Sequence, residues 1–336
     1  MRIQGGAAIR EQRASNRVAA AVDIGGTKVA AGLVSESGSL LHQACISTRG
    51  RGGQALVEAA LDLVRGELAQ TAGRVVGIGV SVAGAVDSSR GRVLWSPNIP
   101  GWHDIQLGRP LSEATGLPVV VGFDGHLTAL GESWKGAGQG ARNMVLLIIG
   151  TGVGGGMIQD GHLYRGSDNL AGAAGWIIVD PQTSDSPSSL AKGNLESVAS
   201  GPAIATAAER MLREGTPSSL HLPVTAEAVV NGAIEGDNVS IAVLDHAGAC
   251  LGRAVAGIVS LMNPELVVLG GGVGSTGVFV KGVRTAVARY AQPISRKRVR
   301  VEPALLGNDA GLYGAARALF EHFEQSSAAS AQGYSI

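Results

Sequence analysis

One carboxylate in this sequence sits where a proton-transfer group is most easily placed. The run Val119-Val120-Val121-Gly122-Phe123-Asp124 is an apolar, β-branched stretch ending in Asp124, and Gly125 to Glu132 continues with helical spacing. Asp124 is therefore expected at a strand-to-helix junction facing a cleft, where a general base could take a proton. An aspartate there is also a common helix cap, so the surrounding elements must decide.

Three glycine clusters bear on that decision. In the first, Arg17 to Ile24 reads as a strand running into Gly25-Gly26-Thr27-Lys28, Val29 to Val34 as a second strand, and Ser39 to Ile46 as a third. A Gly-Gly-Thr turn lets backbone N–H groups and a hydroxyl approach phosphate oxygens, and Asp23 at the strand end could hold a hydrated Mg²⁺. A plain tight hairpin would explain the glycines equally well. The second cluster repeats the layout: strand Asn143 to Ile149, glycine turn Gly150 to Gly156, then Met157 to Tyr164 broken by an Asp160-Gly161 turn. Two such units facing each other would set two backbone-lined loops on either side of one phosphate chain. Gly150, Gly152 and Gly155 also satisfy GxGxxG, but a dinucleotide site needs a helix opening at the glycines, and a strand is expected there. In the third cluster the apolar strand Leu266 to Leu269 ends at Gly270-Gly271-Gly272, where the backbone can lie flat against a planar or sugar group.

The remaining elements frame these turns. Residues 54 to 70 show the spacing of one buried helix face, and Val75 to Val80 returns to strand. Gly84 and Asn98 fall in loops at strand ends, where ligand contacts often lie. Gly307 to Ala316 opens a helix running to about Phe323, followed by a loose Ser/Ala/Gln tail.

Bulk properties narrow the function further. At 336 residues and 45% apolar content the chain can bury a large core and is long enough for two domains. The charge balance of 27 basic against 27 acidic residues gives no electrostatic case for nucleic acid or an anionic membrane. Cys45 and Cys250 are far apart and lack metal-ligand spacing. No apolar run reaches the ~18 residues of a membrane helix and no signal-peptide pattern opens the chain, so a cytoplasmic protein is expected.

Taken together, Asp23-Ile24-Gly25-Gly26-Thr27-Lys28, the Asp124 segment, Gly150 to Gly156, Leu195 to Pro202, Gly270 to Gly274 and Asp309-Ala310-Gly311 resemble the ROK family (repressor, open reading frame, kinase), in the family's order, from Val18 to about Phe323. The resemblance implies an α/β, actin-like (ribonuclease-H-like) duplicated two-domain fold with an interdomain ATP/substrate cleft. It implies a flexible tail over 1–17, a small α/β domain over 18–122 completed by a C-terminal helix at about 311–324, a large α/β domain over 123–310, and a loose tail over 325–336. Family repressors carry an N-terminal DNA-binding domain not found here, so a kinase is expected, with ATP and Mg²⁺ as cofactors and a homodimer as the assembly. Carried over by position, Asp124 is the catalytic base. Asp23, Gly25, Gly26, Thr27, Lys28, Gly150, Thr151, Gly152, Gly154, Gly270, Gly271 and Gly272 serve ATP and its phosphates, with Asp23 on Mg²⁺ through water. Gly84, Asn98, Phe123, Trp176 and Glu196 join Asp124 around the substrate.

The departures from the family pattern matter as much. Phe123 stands where the family has Asn, and Ala173-Ala174-Gly175-Trp176 replaces Glu-x-Gly-His, removing a sugar ligand and a His that binds sugar and zinc. The zinc cysteines are replaced in Pro187 to Asn194, so no zinc is expected. The base, the phosphate loops and Glu196 remain. That pattern leads to a kinase for a modified sugar, aminosugar or cyclitol of the kind used in secondary metabolism. The alternatives are a catalytically silent ATP- or sugar-binding relative acting as sensor or scaffold, and an NAD-dependent oxidoreductase resting on GxGxxG alone.

Overall fold

The computed structural model describes residues 17–48, 51–71, 73–96 and 99–332. The chain divides into two units, the first built from residues up to Gly136, Arg165–Leu170 and the chain from Asn308 on, the second from Ala137–Tyr164 and Ala171–Gly307.

In the first unit, β1 (Arg17–Ile24), β2 (Lys28–Ser35) and β3 (Leu40–Ser47) form an antiparallel meander, followed by α1 (Gly53–Leu68) and β4 (Arg74–Val82). A small sheet of β5 (Ala85–Asp87), β6 (Arg92–Trp95) and β7 (His103–Gln106) leads to α2 (Gly108–Thr115), β8 (Val119–Phe123) and α3 (Asp124–Lys135). The main sheet has the order β3-β2-β1-β4-β8, with β4 parallel to both β1 and β8. Strand β1 is almost wholly apolar because both its faces are covered, one by α1 and the other by the C-terminal helix Ala310–Gln332. That helix also lies along α3, closely enough that a methyl group on Gly314 would overlap the Leu127 carbonyl.

The second unit repeats this topology. Strands β9 (Met144–Ile149), β10 (Val153–Gln159) and β11 (His162–Tyr164) form the meander. Helices α4 (Pro187–Lys192), α5 (Glu196–Ala199), α6 (Gly201–Arg213), α7 (Ala226–Ile234) and α8 (Asn238–Met262) then precede β12 (Leu266–Gly270). The short α9 (Gly271–Gly274) and α10 (Gly277–Tyr290) lead to β13 (Arg300–Pro303), giving the order β11-β10-β9-β12-β13. Each sheet thus has three antiparallel strands and two more in parallel with the first, as the repeated glycine pattern implies.

Four details differ from the sequence-based expectation. The first unit runs through α3 to Gly136, not to residue 122, because α3 packs on the C-terminal helix. That helix extends to Gln332, so the residues after 325 begin as helix and not as a loose tail; of the N-terminal tail only Arg17 lies within the described residues, and it opens β1. The second glycine turn is confined to residues 150–152, since Gly154 to Gly156 are paired in β10 against Ile148 to Leu146. Finally, α8, whose most apolar 18-residue window has mean hydropathy 1.3, is long and apolar enough to cross a membrane by length and composition, although 56% of that window is buried, the helix packing against α7 and α10.

Candidate active site

Strand register brings the first unit's carboxylates together. Asp23 pairs with Ser81 across β1 and β4, and Ser81 pairs with Gly122 across β4 and β8, so the C-terminal ends of three parallel strands line up in one row. Asp124 follows two residues beyond Gly122, at the edge where open α/β sheets commonly bind ligands. It is the first residue of α3, and its Oδ1 accepts the Gly125 N–H at 2.8 Å. The cap position itself belongs to Phe123, which offers no capping group and sets its ring edge-on to His126 at 5.1 Å. The Ser81 hydroxyl donates to Asp23 Oδ1 at 2.7 Å.

Both carboxyls keep partial access to water yet are hemmed in by protein. Burial raises Asp124, and the neighbouring Asp23 charge raises it further, to about 7, against the lowering pull of the Gly125 N–H. Burial also raises Asp23, opposed by the Ser81 hydroxyl and the Lys28 charge. Two like charges forced together under partial desolvation give a carboxylate poised for proton transfer near neutrality. The same pair suits a hard cation. The donor set of Asp23 and Ser81 is all oxygen, and Mg²⁺ is usually held by one or two carboxylates together with waters and substrate phosphates.

The first glycine turn is tied down from one side. Gly25 N–H donates to the Lys28 carbonyl at 3.0 Å, and the Thr48 hydroxyl donates to the Gly26 carbonyl at 2.7 Å. Gly26 and Thr27 remain exposed, as a phosphate-approaching turn requires. Gly84 lies in the turn after β4, and Asn98 lies outside the described residues.

In the second unit, the turn after β9 is closed by Gly150 N–H donating to the Gly152 carbonyl at 3.0 Å, while the Gly150 carbonyl accepts the Gly201 N–H at 2.8 Å from the start of α6. Thr151 is exposed at its tip. Glu196 opens α5 and reaches back to this turn, where its Oε2 accepts the Val153 N–H at 2.8 Å. A methyl group on Gly152 would lie 2.8 Å from that oxygen, so the carboxylate occupies the space a side chain would need. Burial raises the Glu196 carboxyl, offset by the Val153 N–H and the Lys192 charge. Trp176 ends a short 3₁₀ helix, Ala174–Trp176, and is 57% exposed.

A cavity of about 720 Å³ opens beside this turn, lined by Gly150, Thr151, Pro202, Thr225, Asn231 and Gly272 among others. Its size and its mix of small apolar walls and a few polar groups fit a nucleoside. Gly270 ends β12 and Gly271 begins α9, which brings Gly272 to the wall. Gly154 is not part of the turn, because it pairs with Ile148 in the β9–β10 ladder. Sequence reasoning missed Ser81, Ala205, Thr225 and Asn231, and included Pro202 only within the Leu195 to Pro202 run. Ser81 had a signal as a hydroxyl in an otherwise apolar strand, whereas Thr225 and Asn231, on one helix, lie far along the chain from the glycine turn they face.

The positions that carry zinc ligands in the resembling family do not fit a metal here. Ser189 and the amide of Asn194 are committed to hydrogen bonds with each other and their neighbours, and Trp176 offers no ligand. Among the described residues no group of three or more His, Cys, Asp or Glu side chains is placed to hold a metal ion.

A duplicated unit of this topology, with carboxylates at the strand ends of one copy and a glycine turn in the other, is the actin-like α/β fold. Residues 19–322 match the ROK family model, and the chain belongs to that family. It is 36% identical over 312 residues to a glucokinase of Halalkalibacterium halodurans, covering 89% of this chain and 94% of the relative. It is 35% identical over 316 residues to a glucokinase of Thermotoga maritima, covering 89% and 96%. Among solved structures, a ROK family glucokinase from Streptomyces griseus in complex with glucose and AMPPNP superposes with a TM-score of 0.77 at 31% identity, covering 90% of this chain and 98% of that one.

Proposed function

We propose that this chain is an ATP-dependent carbohydrate kinase that transfers the γ-phosphoryl of ATP to a hydroxyl of a modified sugar, aminosugar or cyclitol, with Asp124 as general base. The observation that carries this reading is the Asp23 and Asp124 pair at the ends of β1 and β8, on either side of Ser81 in β4, with Asp124 poised at about 7. In the step, the acceptor O–H gives its proton to the Asp124 carboxylate, the oxygen forms a bond to the γ-phosphorus, and the bond to the ADP oxygen breaks. Such transfers are driven mainly by positioning and charge stabilisation.

Support for ATP comes from the solved relative's AMPPNP complex and from the cavity beside the glycine turn. Each unit by itself offers an exposed turn suited to phosphate, Gly26-Thr27 in the first and Thr151 in the second, and Asp23 with Ser81 would hold Mg²⁺, which neutralises phosphate charge when bound. Glu196 offers a carboxylate to acceptor hydroxyls. Phe123, Ala173 and Trp176 bring apolar surface to positions that are polar in the family, which suits the C–H face of a ring with fewer or differently placed hydroxyls.

The deciding measurement is ADP release with ATP and Mg²⁺ across sugars, aminosugars and cyclitols. A modified ring turned over with kcat/KM well above that for glucose is the expected result. Glucose as the best acceptor would overturn the acceptor assignment, and no turnover with any member would overturn the kinase itself.

A further inference from the structure

We propose that Asn194 is a positioning residue for Glu196, and that the hydrogen-bonded knot around its amide holds the segment from Trp176 to Glu196 in place without a metal ion. The inference rests on the reading of Glu196 as an acceptor ligand. Asn194 is 3% exposed, and its amide uses every bond it can make. Oδ1 accepts the Val179 and Asp180 N–H groups, each at 2.9 Å, and Nδ2 donates to Ser189 Oγ at 3.1 Å and Thr183 Oγ1 at 3.2 Å. The two backbone donors require an oxygen on their side, which fixes the orientation of the amide.

The knot extends through hydroxyls. Ser197 Oγ donates to the Asn194 carbonyl at 2.8 Å and lies 3.0 Å from Ser189 Oγ, which also accepts from Ser186 at 3.0 Å. Leu195 N–H donates to the Ile177 carbonyl at 3.1 Å. Asn194 therefore joins two arms of one loop, residues 176–180 and 189–197. Trp176 begins the first arm, and Glu196 sits near the end of the second.

From there Glu196 crosses to Val153, and a methyl group on Gly175, beside Trp176, would come within 3.3 Å of its Oε2. Between Asn194 and Ser197 of the knot, then, the carboxylate is gripped between the glycine turn and the Trp176 helix. A fully satisfied buried network rigidifies what it joins, whereas loss of its central acceptor strands two buried N–H groups.

The test uses the full chain and three variants, read by amide hydrogen exchange and by kinetics. Asn194→Ala is expected to speed exchange at Val153, Val179 and Asp180 about tenfold or more, with Met157 and Ile158 in the same strand unchanged. It should raise KM for the acceptor about tenfold and leave KM for ATP alone. Asn194→Asp keeps an oxygen for the two N–H groups but loses the amide donor to Thr183 and Ser189, whose hydroxyl hydrogens are committed to Asp180 and Ser197, and should fall between wild type and Asn194→Ala in both readouts. Should Asn194→Ala not fold, Ser189→Ala removes only one partner and should shift the same amides in the same direction, about threefold. Unchanged Val153 exchange in a folded Asn194→Ala or Ser189→Ala protein, or KM for ATP rising with that for the acceptor, overturns the proposal. A wild-type chain that phosphorylates no acceptor fails the kinase reading instead, and the exchange arm still decides this one.

Discussion

Gly311 lies against the Asp23 carboxylate so closely that a methyl group added to it would be 2.5 Å from Oδ1. The C-terminal helix thereby presses its first turn onto the end of β1. Gly311→Ala is expected to push the carboxylate off its Ser81 bond, costing ~1–3 kcal/mol as overpacking does. A lower thermal midpoint together with weaker Mg²⁺-dependent ATP binding by calorimetry is the expected pair of results. A variant with wild-type midpoint and affinity would show that the contact is slack.

Asp124→Asn should retain the fold and ATP binding and lose ~10²–10⁴ in turnover. In the wild type, kcat/KM should climb with pH to a plateau above about 7, because the base acts deprotonated. The stability effect has the opposite sense. A carboxyl raised from its ordinary value stabilises the fold fully below its unfolded pKa near ~3.9 and loses that contribution as pH rises through about 7. Asp124→Asn should therefore melt higher than wild type at pH 8, the gap opening between about pH 4 and 7. Thermal scans across that range, alongside the rate profile, check both halves.

Ala205 on α6 lines the cavity beside the glycine turn. Ala205→Trp would fill much of a space suited to a nucleoside. ATP affinity should fall by at least ~10-fold, on the scale of an overpacked, occluded site, while thermal stability in the absence of ATP stays within a few degrees. Isothermal titration with ATP against a melting curve of the free protein distinguishes occlusion from unfolding.

Asp237 caps α8, accepting from Ser240 N–H at 2.8 Å, Ser219 N–H at 2.8 Å and the Ser218 hydroxyl at 2.8 Å. Burial alone would raise its carboxyl, but these donors outweigh it and hold the group well below the usual range. Its contribution is thus present above the ordinary carboxylate pKa and fades as pH falls through the depressed value. Asp237→Ala should cost ~1–2 kcal/mol at pH 7 as a lost cap, with the difference from wild type shrinking in acid. Urea denaturation at pH 7 and pH 3 provides the comparison.

Asp23, Asp124 and the glycine turns are legible in the sequence because each ends an apolar run, and a strand end can be located from hydrophobic pattern alone. The duplicated topology follows from the same pattern repeated at Asn143 to Tyr164. What the sequence leaves open depends on register and on distant packing. Nothing local places Ser81 opposite Asp23, since that pairing is fixed by how β4 slides against β1. The extent of the first unit is hidden for a related reason, because α3 joins it through the C-terminal helix, which is remote in the chain. The breadth of the second turn is overread where glycines serve a strand: Gly154 to Gly156 satisfy a loop composition while pairing with β9.

The helix Ala310–Gln332 covers β1, β4 and β8, so β1 is made well before the segment that closes its sheet. At translation rates of about 5–20 residues per second, β1 waits on the order of half a minute for its cover. During that interval one apolar face of a five-stranded sheet is open to solvent. The nascent chain should therefore be a client for holding chaperones, and the Asp23 carboxylate acquires its Gly311 neighbour only once that helix has been made.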